Sequence, residues 1–196
     1  DAAAAVTEVG GTAVLKAVVP GLLHKTEAGG VEIGVTAGAA PEAFARLTAL
    51  GGRVLVEELV DGGVELIVGV HSTDLGPVLT AGLGGIFTEV LDDVGHRLLP
   101  LAPGEGAELL AGLRGAKILA GARGRAAADV EAAADLLHRV GALVQDWPAG
   151  FALDLNPVRV LPKGAVVLDA ALTFETPADE EASSSDAALV SEEAGR

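Results

Sequence analysis

Ala152–Leu172 reads ALDLNPVRVLPKGAVVLDAAL, with Val- and Leu-rich runs on either side of Leu161-Pro162-Lys163-Gly164. Pro at the second position and Gly at the fourth are typical of a type I turn, so the segment is predicted to form a β-hairpin. A turn centred on the middle of this tetrapeptide places Asn156 directly opposite Asp169. Opposite side chains share a face of the sheet, and Asp154 falls on that face two residues along.

These three residues are all oxygen donors in an otherwise apolar segment. Magnesium prefers oxygen ligands and usually takes only one or two from protein, leaving the rest to water and nucleotide phosphates. Asn156 and Asp169 are therefore predicted to ligate Mg²⁺. The alternative is a solvated hairpin with ordinary polar residues on one face.

The composition is that of one ordinary domain or two small subdomains. The chain has 196 residues, of which half are apolar and 3% aromatic, so its core must consist mainly of Ala, Val and Leu. The 27 glycines indicate many tight turns or close backbone approaches.

Charge and residue usage exclude several classes of partner. A net charge of −15 argues against nucleic acid and anionic membranes. No apolar run approaches about 20 residues and no basic leader is present, so neither a membrane span nor a signal peptide is expected. The chain contains no Cys, which fits a reducing cytoplasm, and no Met, which predicts a piece of a longer polypeptide.

Residues 12–19, TAVLKAVV, read as a buried strand with Lys16 in its middle. An ammonium group on an apolar face is costly unless it is paired, and no acid is close in sequence. Lys16 is expected to pair with a remote carboxylate, to reach solvent from an edge strand, or to bind an anionic ligand such as a nucleotide phosphate.

A polar loop follows at residues 20–30 and contains His24, Lys25 and Thr26 before a Gly pair. Such a loop suits closure over phosphate by backbone N–H groups. The spacing does not match the P-loop, and a Gly-rich connection without a function would look much the same.

Two strands are predicted at Arg53–Val60 and Val64–Val70, joined by a turn at Asp61-Gly62-Gly63. A carboxylate in a buried strand needs a hydrogen-bonding or charged partner, so such acids are candidates for a functional site. The alternative is that their side chains alternate to the solvent-exposed face of the strand. Three acids lie within these runs: Glu57, Glu58 and Glu65.

The remaining elements are predicted from hydrophobic period and turn signals. Helices are predicted over 40–51, 104–114 and 126–146, and strands over 31–35 and 77–81. From about Thr176 the sequence changes to Ser, Ala and acidic residues, so the tail is predicted to be disordered.

Five motifs together resemble the ATP-grasp domain of NDP-forming acyl-CoA synthetases. That family includes the beta subunit of acetate–CoA ligase (ADP-forming) and is related to the beta subunit of succinyl-CoA synthetase. The motifs occur in the family's order over about residues 10–175: LKAVVPGLLHKTEAGGVEIGV, VLVEELVDGGVELIVGV, LGPVLTAGLGGIFTEVLDDVGHRLLPL, AGARG and ALDLNPVRV…VVLDA.

The resemblance implies a role for each candidate residue. Lys16 would bind the nucleotide phosphates, and the backbone of His24, Lys25 and Thr26 would close over them. Glu57 to Val60 would form hydrogen bonds with the amino group and ring edge of adenine, and Glu65 would bind the ribose hydroxyls. Asn156 and Asp169 would ligate magnesium, in agreement with the hairpin register.

His24 has a second implied role. In some relatives a His at this place is proposed to carry the phosphoryl group between sites. An ordinary loop residue that bonds backbone is the alternative.

The resemblance implies an α+β ATP-grasp fold in three parts. Residues 1–61 would form a lid subdomain that is partly missing, 62–175 the larger subdomain with the metal hairpin, and 176–196 the acidic tail. ATP or ADP with Mg²⁺ would bind between the two subdomains.

The implied activity is that of an acid–CoA ligase (ADP-forming), as one domain or subunit of the complete enzyme. CoA-binding domains or an alpha subunit would supply the phosphohistidine and the acyl site, so an oligomer or a longer chain is expected. The rival hypothesis is a non-catalytic ATP-binding scaffold in a fused acyltransferase.

Overall fold

The computed structural model of the chain describes residues 1–21, 28–85, 93–121, 124 and 126–174. The predicted phosphate-loop residues His24, Lys25 and Thr26 lie outside these ranges, as does the acidic tail. The chain divides into two compact units, Asp1–Asp61 and Gly62 onward.

The first unit is a small antiparallel sheet with helices on one face. Its elements are α1 (Ala2–Glu8), β1 (Thr12–Val18), β2 (Val31–Thr36), α2 (Ala40–Thr48) and β3 (Arg53–Glu58). The described strands pair in the order β2-β1-β3, so β1 is central. Its buried residues come from both helices and from one face of the sheet: Val6, Ala13, Leu15, Ala17, Val35, Ala40, Ala43 and Leu47. Helix α1, capped by the Asp1 carboxylate, was not predicted from the sequence.

The second unit is a larger antiparallel sheet, also with helices on one face. Its elements are β4 (Val64–Thr73), β5 (Gly76–Leu83), β6 (Val94–Leu98), α3 (Glu105–Ala111), α4 (Ala116–Leu119), α5 (Val130–Val144), β7 (Phe151–Val160), β8 (Ala165–Val167) and β9 (Ala170–Phe174). Described strands pair in the order β6-β5-β4-β7-β8, and β9 also pairs with β7.

The core of the second unit follows the predicted alternation. Leu66, Val68 and Val70 of β4 point to the helices, where they meet a stripe on α5 that includes Leu137 and Val144. Helix α5 is shorter at both ends than predicted, and the helix predicted over 104–114 is interrupted after Ala111. None of the helices in the described ranges has both the length and the apolar character needed to cross a bilayer.

The turn at Asp61-Gly62-Gly63 does not join paired strands. Strand β3 pairs with β1 in the first sheet, and β4 pairs with β5 and β7 in the second. The two predicted strands therefore belong to different sheets, and both glycines of the turn adopt positive φ where the chain passes from the first unit to the second. The Gly62-Gly63 pair predicted a turn, but it did not indicate which strands pair with each other.

The predicted hairpin at Ala152–Leu172 is confirmed with its register. Val158 pairs with Val167 on one side of the site, and Leu155 pairs with Ala170 on the other. Between these pairs the Asn156 N–H donates to the carbonyl of Asp169 at 3.1 Å. The two candidate metal ligands therefore lie directly opposite each other.

Candidate functional site

Lys16 lies on the central strand of the first sheet, on the face opposite the helices. It is only 7% exposed, and its Nζ lies 2.5 Å from Oε2 of Glu57. Val14 pairs with Glu57 in the register of β1 and β3, so Lys16 reaches the carboxylate diagonally. The remote-carboxylate expectation for Lys16 is confirmed, and the edge-strand alternative is wrong because β1 is paired on both sides.

The sheet face around Lys16 is apolar and exposed. Val18, Ile33 and Leu55 are 47%, 73% and 46% exposed. By register, Leu55 is directly opposite Lys16 and Ile33 is opposite Val14. Exposed branched side chains around a single buried ammonium group suit a ligand with a flat apolar part and a negatively charged part.

Glu65 lies on β4, on the face of the second sheet opposite its core. Its Oε1 accepts a hydrogen bond from Nη2 of Arg159 at 2.7 Å, and the two residues are direct partners in the register of β4 and β7. Nη1 of Arg159 donates to the carbonyl of Gly62 at 2.9 Å. Arg159 was not singled out from the sequence, although a charge inside an apolar run is the signal that selected Glu65.

Two carboxylates and an amide gather on the hairpin. The pKa of Asp154 is raised, first by partial desolvation of its carboxyl and then by the negative charge of Asp169. This coupling agrees with the prediction that Asp154 shares a face with Asn156 and Asp169. All three side chains offer oxygen, so the donor set fits a hard cation such as Mg²⁺. Within the described ranges, no group of three or more His, Cys, Asp or Glu could hold a metal ion.

Asp129 connects the hairpin turn to helix α5. Its Oδ1 accepts from Ala132 N–H at 3.0 Å, which caps the helix, and its Oδ2 accepts from Gly164 N–H at 2.8 Å. The Asp129 N–H donates to the carbonyl of Leu161 at 2.8 Å. Asp129 thus takes up the two backbone groups that a closed type I turn would bond to each other. These two amide donors lower the pKa of Asp129.

The structure brings the candidate residues together in two groups. Lys16 and Glu57 form one group in the first unit, and Val60 follows β3 in the same unit. The hairpin residues and Glu65 belong to the second unit.

Asp93, which the sequence analysis did not single out, is buried. It accepts hydrogen bonds from the N–H groups of Arg114 and Gly115 at 2.8 and 2.7 Å. Asp93 therefore anchors the loop before α4.

Comparison with known proteins identifies relatives of the whole described region. The family model described as "ATP-grasp domain" matches residues 1–174. Acetate–CoA ligase [ADP-forming] I of Archaeoglobus fulgidus is 40% identical over 171 residues, which is 82% of this chain and 25% of that protein. Acetate–CoA ligase [ADP-forming] I subunit beta of Pyrococcus furiosus is 34% identical over 83% of this chain and 75% of that protein. The chain therefore spans about a quarter of the first relative and three quarters of the second.

Solved structures agree in fold. Dinucleotide forming acetyl-coenzyme A synthetase 1 of Ca. Korarchaeum cryptofilum, in complex with coenzyme A and Ca-AMPCP, superposes with a TM-score of 0.82 at 32% identity, covering 89% of this chain and 81% of that chain. A second structure of that protein, with coenzyme A and Mg-AMPPCP, has its phosphohistidine segment pointing towards the nucleotide binding site; its TM-score is 0.77 at 33% identity, over 89% of this chain and 81% of that one. With the family model covering residues 1–174, the α+β prediction is confirmed and the chain belongs to the ATP-grasp domain family.

Proposed function

We propose that this chain is the nucleotide-binding and phosphoryl-transfer domain of an ADP-forming acyl-CoA synthetase. The complete enzyme would interconvert acyl-CoA, ADP and phosphate with carboxylic acid, CoA and ATP. The observation that carries the proposal is the hairpin, in which Asn156 lies opposite Asp169 with Asp154 beside them, in a domain similar to ADP-forming CoA ligases.

The hairpin would hold Mg²⁺ through Asn156 and Asp169, with Asp154 close by. Partial burial and then the like charge of Asp169 raise the pKa of Asp154, and a bound cation would offset both effects. When bound, magnesium supplies positive charge that neutralises phosphate oxygens.

Lys16 would bind the phosphate oxygens of ATP or ADP from the first sheet. Its ammonium group already lies against Glu57, so a phosphate would share or replace this carboxylate. The apolar side chains of Ile33 and Leu55 would pack against the flat base. Glu57 and Val60 would read the edge of adenine, and Glu65 would accept from the ribose hydroxyls.

The γ-phosphoryl group would pass to a His nitrogen on a CoA-binding domain or subunit. A P–N bond forms, the bond between the γ-phosphorus and the bridging oxygen breaks, and ADP leaves. Chemistry of this kind depends on positioning and electrostatic stabilisation. We also propose that His24, Lys25 and Thr26 close over the phosphates and that His24 carries the phosphoryl group between sites. In that role a His24 nitrogen would accept the γ-phosphoryl group first, with ADP as the leaving group, and this P–N bond would break when the His of the CoA-binding domain or subunit takes the group over.

Isothermal titration of the full chain with ATP, in the presence and absence of Mg²⁺, tests the proposal. We expect binding that requires magnesium and that Asp169→Ala weakens at least tenfold, because a charged ligand group is lost. Lys16→Ala should also weaken binding, whereas Lys117→Ala, which removes an exposed lysine from α4, should not. Absence of magnesium-dependent binding would refute the proposal.

The rival function, a nucleotide-binding scaffold without turnover, makes a different prediction. A scaffold would bind MgATP but would not transfer radiolabelled phosphate to an added CoA-binding partner. Transfer to the partner's His, lowered by His24→Ala, supports the catalytic function and the carrier role of His24. An unchanged rate in His24→Ala would leave His24 as an ordinary loop residue.

A further inference from the structure

Arg159 forms an ion pair with Glu65 and has no role in the proposed function so far. We infer that Arg159 is a positioning residue that orients Glu65, so that one carboxylate oxygen receives a ribose hydroxyl and the site selects ribonucleotides over deoxyribonucleotides. This inference rests on the proposed function, in which Glu65 belongs to the nucleotide site.

One side-chain contact and one backbone contact hold Glu65 on β4. Oε1 accepts from Nη2 of Arg159 at 2.7 Å, and the guanidinium is itself held by the carbonyl of Gly62 at 2.9 Å. The backbone carbonyl of Glu65 accepts from Gly84 N–H at 2.8 Å. One oxygen of the carboxylate is thereby bound to the arginine through a charge-assisted hydrogen bond.

The second oxygen, Oε2, faces the Gly84–Gly85 turn. A Cβ at Gly84 would lie 2.9 Å from the Cβ of Glu65, and a Cβ at Gly85 would lie 3.3 Å from Oε2. Side chains at these two positions would crowd Glu65, and Gly85 also has a positive φ of 65°. The glycine pair therefore leaves room beside Oε2.

The chemistry of this oxygen limits what can bind there. A carboxylate paired with a guanidinium only accepts hydrogen bonds, so its ligand must be a donor. A phosphate oxygen is excluded by like charge, whereas a ribose hydroxyl fits.

Arg159 destabilises its position in β7 in a way that an apolar residue would not. Its Nε is buried and has no hydrogen-bond partner within the described residues, whereas Val158 and Val160 on either side belong to the core. A buried unpaired N–H is unfavourable. An aliphatic residue would serve the strand better, which favours a role for Arg159 in orienting Glu65.

Titration of MgATP, Mg-2′-deoxyATP and Mg-3′-deoxyATP into the full chain tests the inference. In the wild type we expect at least one deoxynucleotide to bind about tenfold more weakly than ATP, the loss of one hydrogen bond to a charged group. Arg159→Met and Glu65→Gln should both reduce this ratio to about twofold or less. Arg159→Lys keeps one donor and should restore part of the discrimination.

The controls separate this inference from the proposed function. Arg139→Met removes a positive charge from the exposed face of α5 and should keep the wild-type ratio. One outcome would refute only the positioning role of Arg159. In that outcome the wild type discriminates between ATP and a deoxynucleotide, Glu65→Gln does not, and folded Arg159→Met still does. The proposed function would then stand. If Glu65→Gln retains the discrimination, the inference also fails. If the wild type does not bind MgATP, both fail. If Arg159→Met does not fold, Arg159→Gln takes its place, and a wild-type ratio in that variant refutes the role.

Discussion

Lys16 lies on a central strand, where an ammonium group has little contact with water. Its side chain is 9% exposed, while that of Glu57 is 34% exposed. Water can therefore solvate the Glu57 carboxylate when Lys16 is removed, but it has little access to the Lys16 ammonium group when Glu57 is removed. Desolvation, rather than the strength of the contact, determines what the loss of either one costs.

We predict that Glu57→Gln destabilises the chain more than Lys16→Met does. Loss of the carboxylate leaves a buried ammonium group without this contact and should cost about 1–3 kcal/mol. Loss of the ammonium leaves a carboxylate that water can solvate. Thermal denaturation of both variants without nucleotide checks this, and an equal or reversed order would contradict it.

Asp154 should limit the stability of the metal-free chain. Its folded-state pKa is raised, so ionisation opposes folding, and the chain should gain stability from this carboxyl as the pH falls through the raised value. Asp154→Asn should therefore raise the melting temperature at pH 7 in EDTA. The same variant should show a smaller increase in melting temperature when Mg²⁺ is added, and an unchanged increase would argue against a role near the cation.

At the scale of elements, Asp129 joins a helix to a hairpin that begins more than 20 residues later in the chain. Its carboxylate serves the N-terminus of α5 and the turn at Gly164 together. Asn has only one side-chain acceptor, so Asp129→Asn can keep only one of these bonds.

We predict that Asp129→Ala lowers the melting temperature by several degrees at pH 7 and that Asp129→Asn lowers it less. The pKa of Asp129 is depressed, so its contribution is present above the ordinary value of 3.8 and is lost as the pH falls through the depressed value. The difference between wild type and Asp129→Ala should therefore shrink in acid. A difference that is independent of pH would show that the charge is not responsible.

Local sequence signals predicted most helices and strands. The contacts between residues far apart in the sequence could not be predicted in this way. The turn at Pro162 set the register of the hairpin because both strands are adjacent in sequence. Neither the bond from Arg159 to Glu65, 94 residues apart, nor that from Gly164 to Asp129 has a local signal. Strand β6, Val94–Leu98, was also missed, because a Gly, a His and an Arg interrupt its apolar pattern.

At the scale of the whole molecule, the ATP-grasp family model matches residues 1–174. The chain spans about a quarter of the Archaeoglobus fulgidus relative. We therefore propose a divided enzyme, in which the acyl and CoA sites lie on another domain or subunit.

We predict that the chain alone does not form acyl-CoA, however well it binds nucleotide. Addition of the CoA-binding domains should restore synthesis from acid, CoA and MgATP, because the phosphoryl acceptor is then present. A thioester assay with and without the partner checks this. Steady synthesis by the isolated chain would refute the division of labour.

Each sheet has its helices on one face, and this has a consequence for how such a domain can change over generations. The buried apolar residues of the second unit, such as Leu66 and Leu137, pack on the helix side. Residues on the other side, such as Ile33, can be exchanged with little effect on folding. Selection can therefore alter ligand preference by point substitutions while the scaffold persists, and a gene library randomised on these outer positions should yield mostly folded proteins.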